Sequence, residues 1–291
     1  MSVSNRCEHC IIEYAGSEAW DGNDNHCGAI AIGPDYESGS FSMIGGEIRE
    51  SGCFALYVSD EDSNELGEFS DVVLSANAKS VFIHQNYTGQ LSAGGFKLGA
   101  ELNDDMGIAI FGNPFSDVEV DQTWPAFEGF HYLVYPRYEQ DTGLTLSFTG
   151  ALTISPGAVV KFGEDTAIES NGSINAEGTA AAPIVFEGLE DIQGYWQGVA
   201  IVSKSTSNVL SHVTISGAGS DPWTGNDEHV GAIYLEDASL TLTDVQITNA
   251  KGNGIYVYNS FDDVDLTCDG VTFSDIEFED LAYSDAALTC S

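Results

Sequence analysis

The chain has 291 residues, 43% of them hydrophobic, and sets 46 aspartates and glutamates against 8 lysines and arginines for a formal charge of −38. Such a field repels phosphate backbones and anionic lipid heads, which argues against nucleic-acid binding and membrane-surface attachment, and no apolar run approaches the length of a membrane span. Enough apolar side chain is present to offset the entropy of ordering, so the composition is that of a folded protein.

In chain order, Met1-Ser2-Val3-Ser4-Asn5-Arg6 lacks the apolar stretch of a signal peptide. The first apolar positions are Cys10/Ile12, Ile30/Ile32, Phe41/Met43, Ile48, Phe54/Leu56, Val72/Leu74 and Val81/Ile83. Short pairs of period 2 predict half-buried strands. Gly107–Phe111 reads as a late strand of this part, and the boundary is expected between Asn113 and Ser116, dividing residues 1–115 from residues 116–291. From Leu152 onward the pattern is regular: Leu152-Thr153-Ile154, Val160-Lys161-Phe162, Ile184-Val185-Phe186, Val199-Ala200-Ile201, Val213-Thr214-Ile215, Ile233-Tyr234-Leu235, Leu240-Thr241-Leu242, Val245-Gln246-Ile247, Ile255-Tyr256-Val257, Val264-Asp265-Leu266 and Val271-Thr272-Phe273. Turn formers fill the gaps, and no long stripe of helical period occurs, so helix is expected to be minor. Two triplets intervene between Val245/Ile247 and Val271/Phe273, which gives three strands per coil. The gaps vary and carry bulky loops, unlike the tight hairpins of a sandwich, and the predicted fold is an all-β parallel β-helix.

One stretch occurs twice. Trp20-Asp21-Gly22-Asn23-Asp24-Asn25-His26-Cys27-Gly28-Ala29-Ile30 returns as Trp223-Thr224-Gly225-Asn226-Asp227-Glu228-His229-Val230-Gly231-Ala232-Ile233. The match extends backwards without a gap, pairing His9 with His212, Ile12 with Ile215 and Gly16 with Gly219. The chain is therefore read as a piece of a long tandem repeat: the C-terminal part of one unit followed by the N-terminal part of a second.

Six cysteines are present, and Cys7, Cys10 and Cys27 fall on Leu210, Val213 and Val230 in the second copy. A zinc site of Cys7, His9, Cys10, His26 and Cys27 has suitable spacing, but the second copy keeps both histidines and replaces every thiol with an aliphatic. Disulfides between neighbouring turns, or buried thiols, fit better. Cys268 and Cys290 lie about one coil apart and are a candidate bridge, and the even count fits an oxidising, extracellular or cell-surface setting.

Leu152-Thr153-Ile154-Ser155-Pro156-Gly157-Ala158-Val159-Val160-Lys161-Phe162 resembles the opening coil of bacterial right-handed parallel β-helix repeat proteins of the pectate-lyase-like superfamily, as do Gly172-Ser173-Ile174-Asn175-Ala176-Glu177-Gly178-Thr179, Pro183-Ile184-Val185-Phe186 and Tyr195-Trp196-Gln197-Gly198-Val199. The resemblance implies a right-handed solenoid of the secreted or surface-attached, non-catalytic type. It also implies an alternative, a polysaccharide lyase or glycoside hydrolase. No catalytic motif of the superfamily can be carried over: only Arg6, Arg49 and Arg137 are present, and Arg49 has no counterpart in the second copy.

The duplicated loop is the leading candidate for function, because loops displayed on a rigid solenoid carry binding groups. Trp20 and Trp223 offer rings for stacking on a sugar, and Asn23, Asp24, His26, Asn226, Asp227 and His229 offer polar groups to hydroxyls or a cation. The structural reading stands beside this one: Gly-Asn-Asp is ordinary turn chemistry, the tryptophan can cap the core and the histidine can bond loop backbone. Asp21, Asn23 and Asn25 alternate oxygen ligands suited to calcium, although the second copy spoils the pattern by giving Thr224, Asn226 and Glu228. The expected function is an extracellular structural or adhesive segment of a large repetitive exoprotein. Its expected partners are polysaccharide or cell-surface glycan, calcium, and further copies end to end.

Overall fold

The computed structural model describes residues 4–17, 27–32, 40–59, 65–112, 117–135, 143–258 and 264–283. Among these, every regular element is a strand apart from one 3-10 turn, Thr88–Gln90, and every strand ladder is parallel. The chain packs as two compact units, Met1–Phe111 with Pro125–Tyr132 and Gly112–Trp124 with Leu133–Ser291. The expected boundary at Asn113 to Ser116 lies outside the described residues.

In the second unit the coil is explicit. Thr145–Phe148, Ala151–Ile154 and Val159–Phe162 form one turn, and Ala167–Ser170, Ser173–Glu177 and Ile184–Gly188 the next. Each strand of the first turn bonds, parallel, to the corresponding strand of the second. The same advance by three strands continues through Gly198–Ile201, Gly231–Glu236 and Asn253–Tyr258 on one face. The fold is a right-handed parallel β-helix with three strands per coil, as the triplets predict. Ile247 pairs with Phe273, so the spacing read from those triplets is one turn.

Alternation explains the core. Val160, Phe186, Ile215 and Ile247 stand in register on successive coils, each at most 1% exposed. Ile168, Val199, Ile233 and Ile255 form a second fully buried column. Each such side chain contributes about 1.5–3 kcal/mol relative to its exposed state.

Corners between faces are made by residues in the left-handed region. His212, with φ 47°, joins Val209–Ser211 to Val213–Ser216, and Asp244 (φ 51°) and Gly270 (φ 68°) occupy the same corner on the next two coils. In the first unit His9 has φ 53°, so the histidine retained in both copies marks a conserved bend of the backbone. Aspartate and asparagine tolerate this region better than most side chains, which accounts for Asp165, Asp237 and Asn249 elsewhere.

In the first unit the described strands form two sheets. One runs Ser4–Glu13, Ser40–Arg49, Val72–Ser75 and Phe96–Leu98; the other runs Gly28–Ile32, Phe54–Val58, Lys79–His84 and Gly107–Phe111. An internal polar ladder clips its coils together at 26-residue intervals. Asn77 Oδ1 accepts the Ser51 amide at 3.0 Å, and its Nδ2 donates to the Ile48 carbonyl and to Asn103 Oδ1, both at 2.9 Å. Asn103 Oδ1 also accepts the Asn77 amide at 2.9 Å. Phe54 departs from the inward column expected for it: it packs with Tyr57, Phe82 and Phe111 in a buried aromatic cluster.

Two disulfides join described residues. Cys27–Cys53 connects neighbouring coils, as expected, with a sequence separation of 26. Cys7–Cys10 closes within one strand, which differs from the expected bridge between turns: the left-handed bend at His9 turns both side chains to the same side. Cys268 is disulfide-bonded, and its expected partner, Cys290, lies outside the described residues.

Candidate functional site

The loop of the second copy begins where Gly217 and Gly219, with φ 75° and 95°, lead the chain off the strand Val213–Ser216. Gly219 is required by close packing, because a Cβ there would meet the Lys251 carbonyl oxygen at 1.8 Å. Beneath this bend Trp196 is fully buried, stacked on Phe162 at 3.8 Å between centroids, and donates its indole N–H to the Ser216 carbonyl at 2.8 Å.

The loop then closes on itself. The Trp223 amide donates to the His229 carbonyl at 3.0 Å, and the His229 amide to the Asn226 carbonyl at 2.9 Å. Asn226 Oδ1 accepts the Glu228 amide at 3.1 Å, which leaves Nδ2 to face His229 Nε2, also at 3.1 Å. An amide NH2 can only donate, so Nε2 is the accepting nitrogen and the proton resides on Nδ1, 2.5 Å from Thr224 Oγ1. Both imidazole nitrogens are thus engaged inside the loop. The Trp223 indole N–H donates to the Gly231 carbonyl at 3.0 Å.

Sequence reasoning expects a loop displayed on the solenoid, and in the second copy the structure shows what that loop packs against. The loop lies over an outward-facing tyrosine ladder formed where Tyr234 pairs in register with Tyr256 on adjacent strands. Trp223 stacks on Tyr234 at 5.6 Å, and His229 stacks on Tyr256 at 5.0 Å and meets Tyr258 edge-on at 5.1 Å. The physical cause is the exposed aromatic area the ladder would otherwise present to water. Burial raises the Tyr234 pKa well above the ordinary tyrosine range, and the hydrogen bond that Tyr234 donates to Glu236 at 2.9 Å raises it further. Burial, followed by the charge of Glu228, raises Tyr256 as well. The ladder was missed in the sequence, although its signal is present: an aromatic occupies the outward middle place of both Ile233-Tyr234-Leu235 and Ile255-Tyr256-Val257.

Of the expected site residues in this copy, Trp223 and His229 are half-buried and drawn together by the loop, whereas Asn226 and Asp227 are exposed. Asp227 lines an open cleft of about 230 Å³ whose walls include Pro222, Val230, Lys251, Glu277 and Phe278. Phe278 is 55% exposed, a large ring left in water at the edge of a saturated loop. Trp20, Asp21, Asn23, Asp24, Asn25 and His26, including the calcium ligands expected from sequence, lie outside the described residues. Among the described residues no group of three or more histidine, cysteine or carboxylate side chains is arranged to hold a metal ion, and no helix is long and apolar enough to cross a membrane.

The two copies solve one contact differently. Gly28 pairs with Phe54, and Gly231 with Asn253, so Cys27 and Cys53 correspond to Val230 and Gly252. A Cβ on Gly252 would lie 2.6 Å from Val230 Cγ1, and its φ is 92°. Valine against bare backbone in one unit stands where a disulfide joins the coils of the other.

Compared with protein-family models, with curated proteins and with solved structures, the chain matches none. What its geometry establishes is an all-β parallel solenoid with disulfide-joined coils.

Proposed function

We propose that the chain is an extracellular structural and adhesive β-solenoid segment of a large repetitive exoprotein, allied to the non-catalytic, pectate-lyase-like type that its opening coil resembles. The observation that carries this reading is the arrangement beside the loop of the second unit. Trp223 and His229 are committed to holding the loop on the tyrosine ladder, while the adjoining cleft keeps Asp227, Lys251 and the exposed Phe278 facing solvent. A ring flanked by charged and polar side chains suits the apolar face and hydroxyl edge of a sugar. The disulfides support export, because such bonds persist in oxidising compartments.

The test is a panel of neutral and acidic polysaccharides incubated with the protein, with and without calcium, scoring both co-sedimentation and newly formed reducing or unsaturated ends. We expect co-sedimentation without new ends, weakened by Phe278→Ala and by Asp227→Ala. New chain ends would replace this reading with a polysaccharide-active enzyme, and the absence of both signals would leave a purely structural segment.

A further inference from the structure

We propose that residues 189–195 form a fixed strap whose outer surface docks a basic, apolar-bearing polypeptide segment of a partner protein. This goes beyond glycan binding at the cleft beside Asp227. It rests on how the strap is held, what it exposes and which charges surround it.

The strap leaves the strand Ile184–Gly188 and is tied to coils on both sides of its own. The Leu189 amide donates to the Phe162 carbonyl at 2.7 Å, on the preceding coil, and the Tyr195 amide to the Gly217 carbonyl at 2.7 Å, on the following one. Gln193 Nε2 reaches further, donating to the Ala250 and Asp275 carbonyls at 3.1 and 3.2 Å. Gly194, with φ 66°, lies flat on Lys251, where a Cβ would meet the lysine Cβ at 2.5 Å. A backbone held at so many points has little freedom left to lose when a partner binds.

This fixed segment nevertheless keeps two large aliphatic side chains in water. Leu189 is 40% exposed and Ile192 49%, three residues apart and flanked by described coils before and after. Between strap and sheet lies an open cleft of about 370 Å³ walled by Leu189, Glu190, Asp191, Lys161, Glu187 and Ser216.

Charge selects the occupant. Lys161 Nζ lies 3.1 Å from Glu187, so this pair offsets itself, while Glu190 and Asp191 are exposed and set the sign of the cleft. The next corner adds Glu164 and Asp165, the Asp165 amide donating to the Tyr195 carbonyl at 3.0 Å. Burial raises the Tyr195 pKa, and the charges of Glu190 and Glu164 raise it further, so carboxylates lie close to the ring. Against these carboxylates the strap has Lys161 and Lys251 alone among the described residues. An acidic polysaccharide or a nucleic acid is repelled by such a surface, and a sugar polymer brings no aliphatic side chain to cover Leu189 and Ile192. A polypeptide in which lysine or arginine alternates with leucine-like residues satisfies both features.

The test measures binding of a labelled peptide of alternating lysine and leucine to the intact chain at about 0.15 M salt, beside a lysine and serine analogue of equal charge. We expect the leucine peptide to bind at least about tenfold more tightly, and Leu189→Ser with Ile192→Ser to remove that preference. Glu190→Gln with Asp191→Asn should weaken both peptides at least about fivefold, whereas Asp265→Asn with Asp269→Asn, the same loss of charge on another sheet, should change them less than about twofold. Equal affinity for the two peptides, or equal effects of the two charge-removing pairs, would show diffuse attraction to a chain of charge −38 and overturn the proposal. Hydrogen exchange of the wild-type chain decides without any variant: the leucine peptide should slow exchange within residues 189–195, and protection only elsewhere would overturn the assignment.

Discussion

His229 lies stacked over Tyr256, 5.0 Å between ring centroids, with its two nitrogens directed at Thr224 and Asn226. This one relationship joins a loop to a sheet and converts what looks like a ligand-binding histidine into a clamp. Removing the ring by His229→Ala should cost about 1–3 kcal/mol, combining a stacked aromatic contact with lost hydrogen bonds. The midpoint of thermal unfolding measures it. A midpoint unchanged from wild type would show that the loop is held by other means.

Trp223 offers a finer dissection. Trp223→Phe keeps a ring over Tyr234 and deletes only the N–H donated to Gly231, leaving that carbonyl without this partner. We expect a loss of about 1 kcal/mol, smaller than that of Trp223→Ala. Chemical denaturation of both variants orders them; equal losses would contradict the stacking on Tyr234, and no loss in Trp223→Phe would contradict the hydrogen-bond assignment.

Alkaline pH should weaken the second unit through Tyr234. Its folded pKa lies above the ordinary value of 10.0, first through burial and then through the bond to Glu236. The folded state therefore keeps a proton that the unfolded chain releases, so stability is full below pH 10.0 and falls as the pH rises above it. Tyr234→Phe should flatten that fall. Parallel loss in both proteins between neutral and strongly alkaline pH would place the sensitivity elsewhere.

The asparagine ladder of the first unit is a sharper dependency. Asn77→Ala leaves the Ser51 amide and the Ile48 carbonyl without their side-chain partners in a buried setting. At about 1–3 kcal/mol for each of the two abandoned groups, we expect a loss of about 2–6 kcal/mol, and Asn77→Asp should not restore it, because a carboxylate cannot donate to Ile48. Recovery by aspartate would contradict the donor role.

The fold was legible because each triplet carries its own period, and because the register of a solenoid repeats whatever one coil does. The duplicated histidine at His9 and His212 was visible as a match, but its cause was not: a backbone at φ 53° and 47° leaves no mark in hydrophobicity. The loop was legible as a duplicated element, but what its second copy rests on was not, since that depends on Tyr234 and Tyr256, which come together only when two coils stack. Cys7 and Cys10 followed the same logic. Three residues apart on an ideal strand they would face opposite sides, and only the bend at His9 lets them meet. Phe278 and Lys251 share a cleft through coil stacking alone, beyond the reach of spacing arguments.

The central claim is that the loop of the second copy holds itself in place with Trp223, Asn226 and His229, side chains it seemed to offer to ligands. Long-range proton–nitrogen NMR of the imidazoles, with His229 assigned by loss of its signals in His229→Gln, tests this most directly. We expect the neutral imidazole of His229 to carry its proton on Nδ1, with shifts unmoved by calcium, by zinc or by a polysaccharide that co-sediments with the protein. Protonation on Nε2, or signals displaced by a cation or a sugar, would contradict the claim and return the histidine to the ligand.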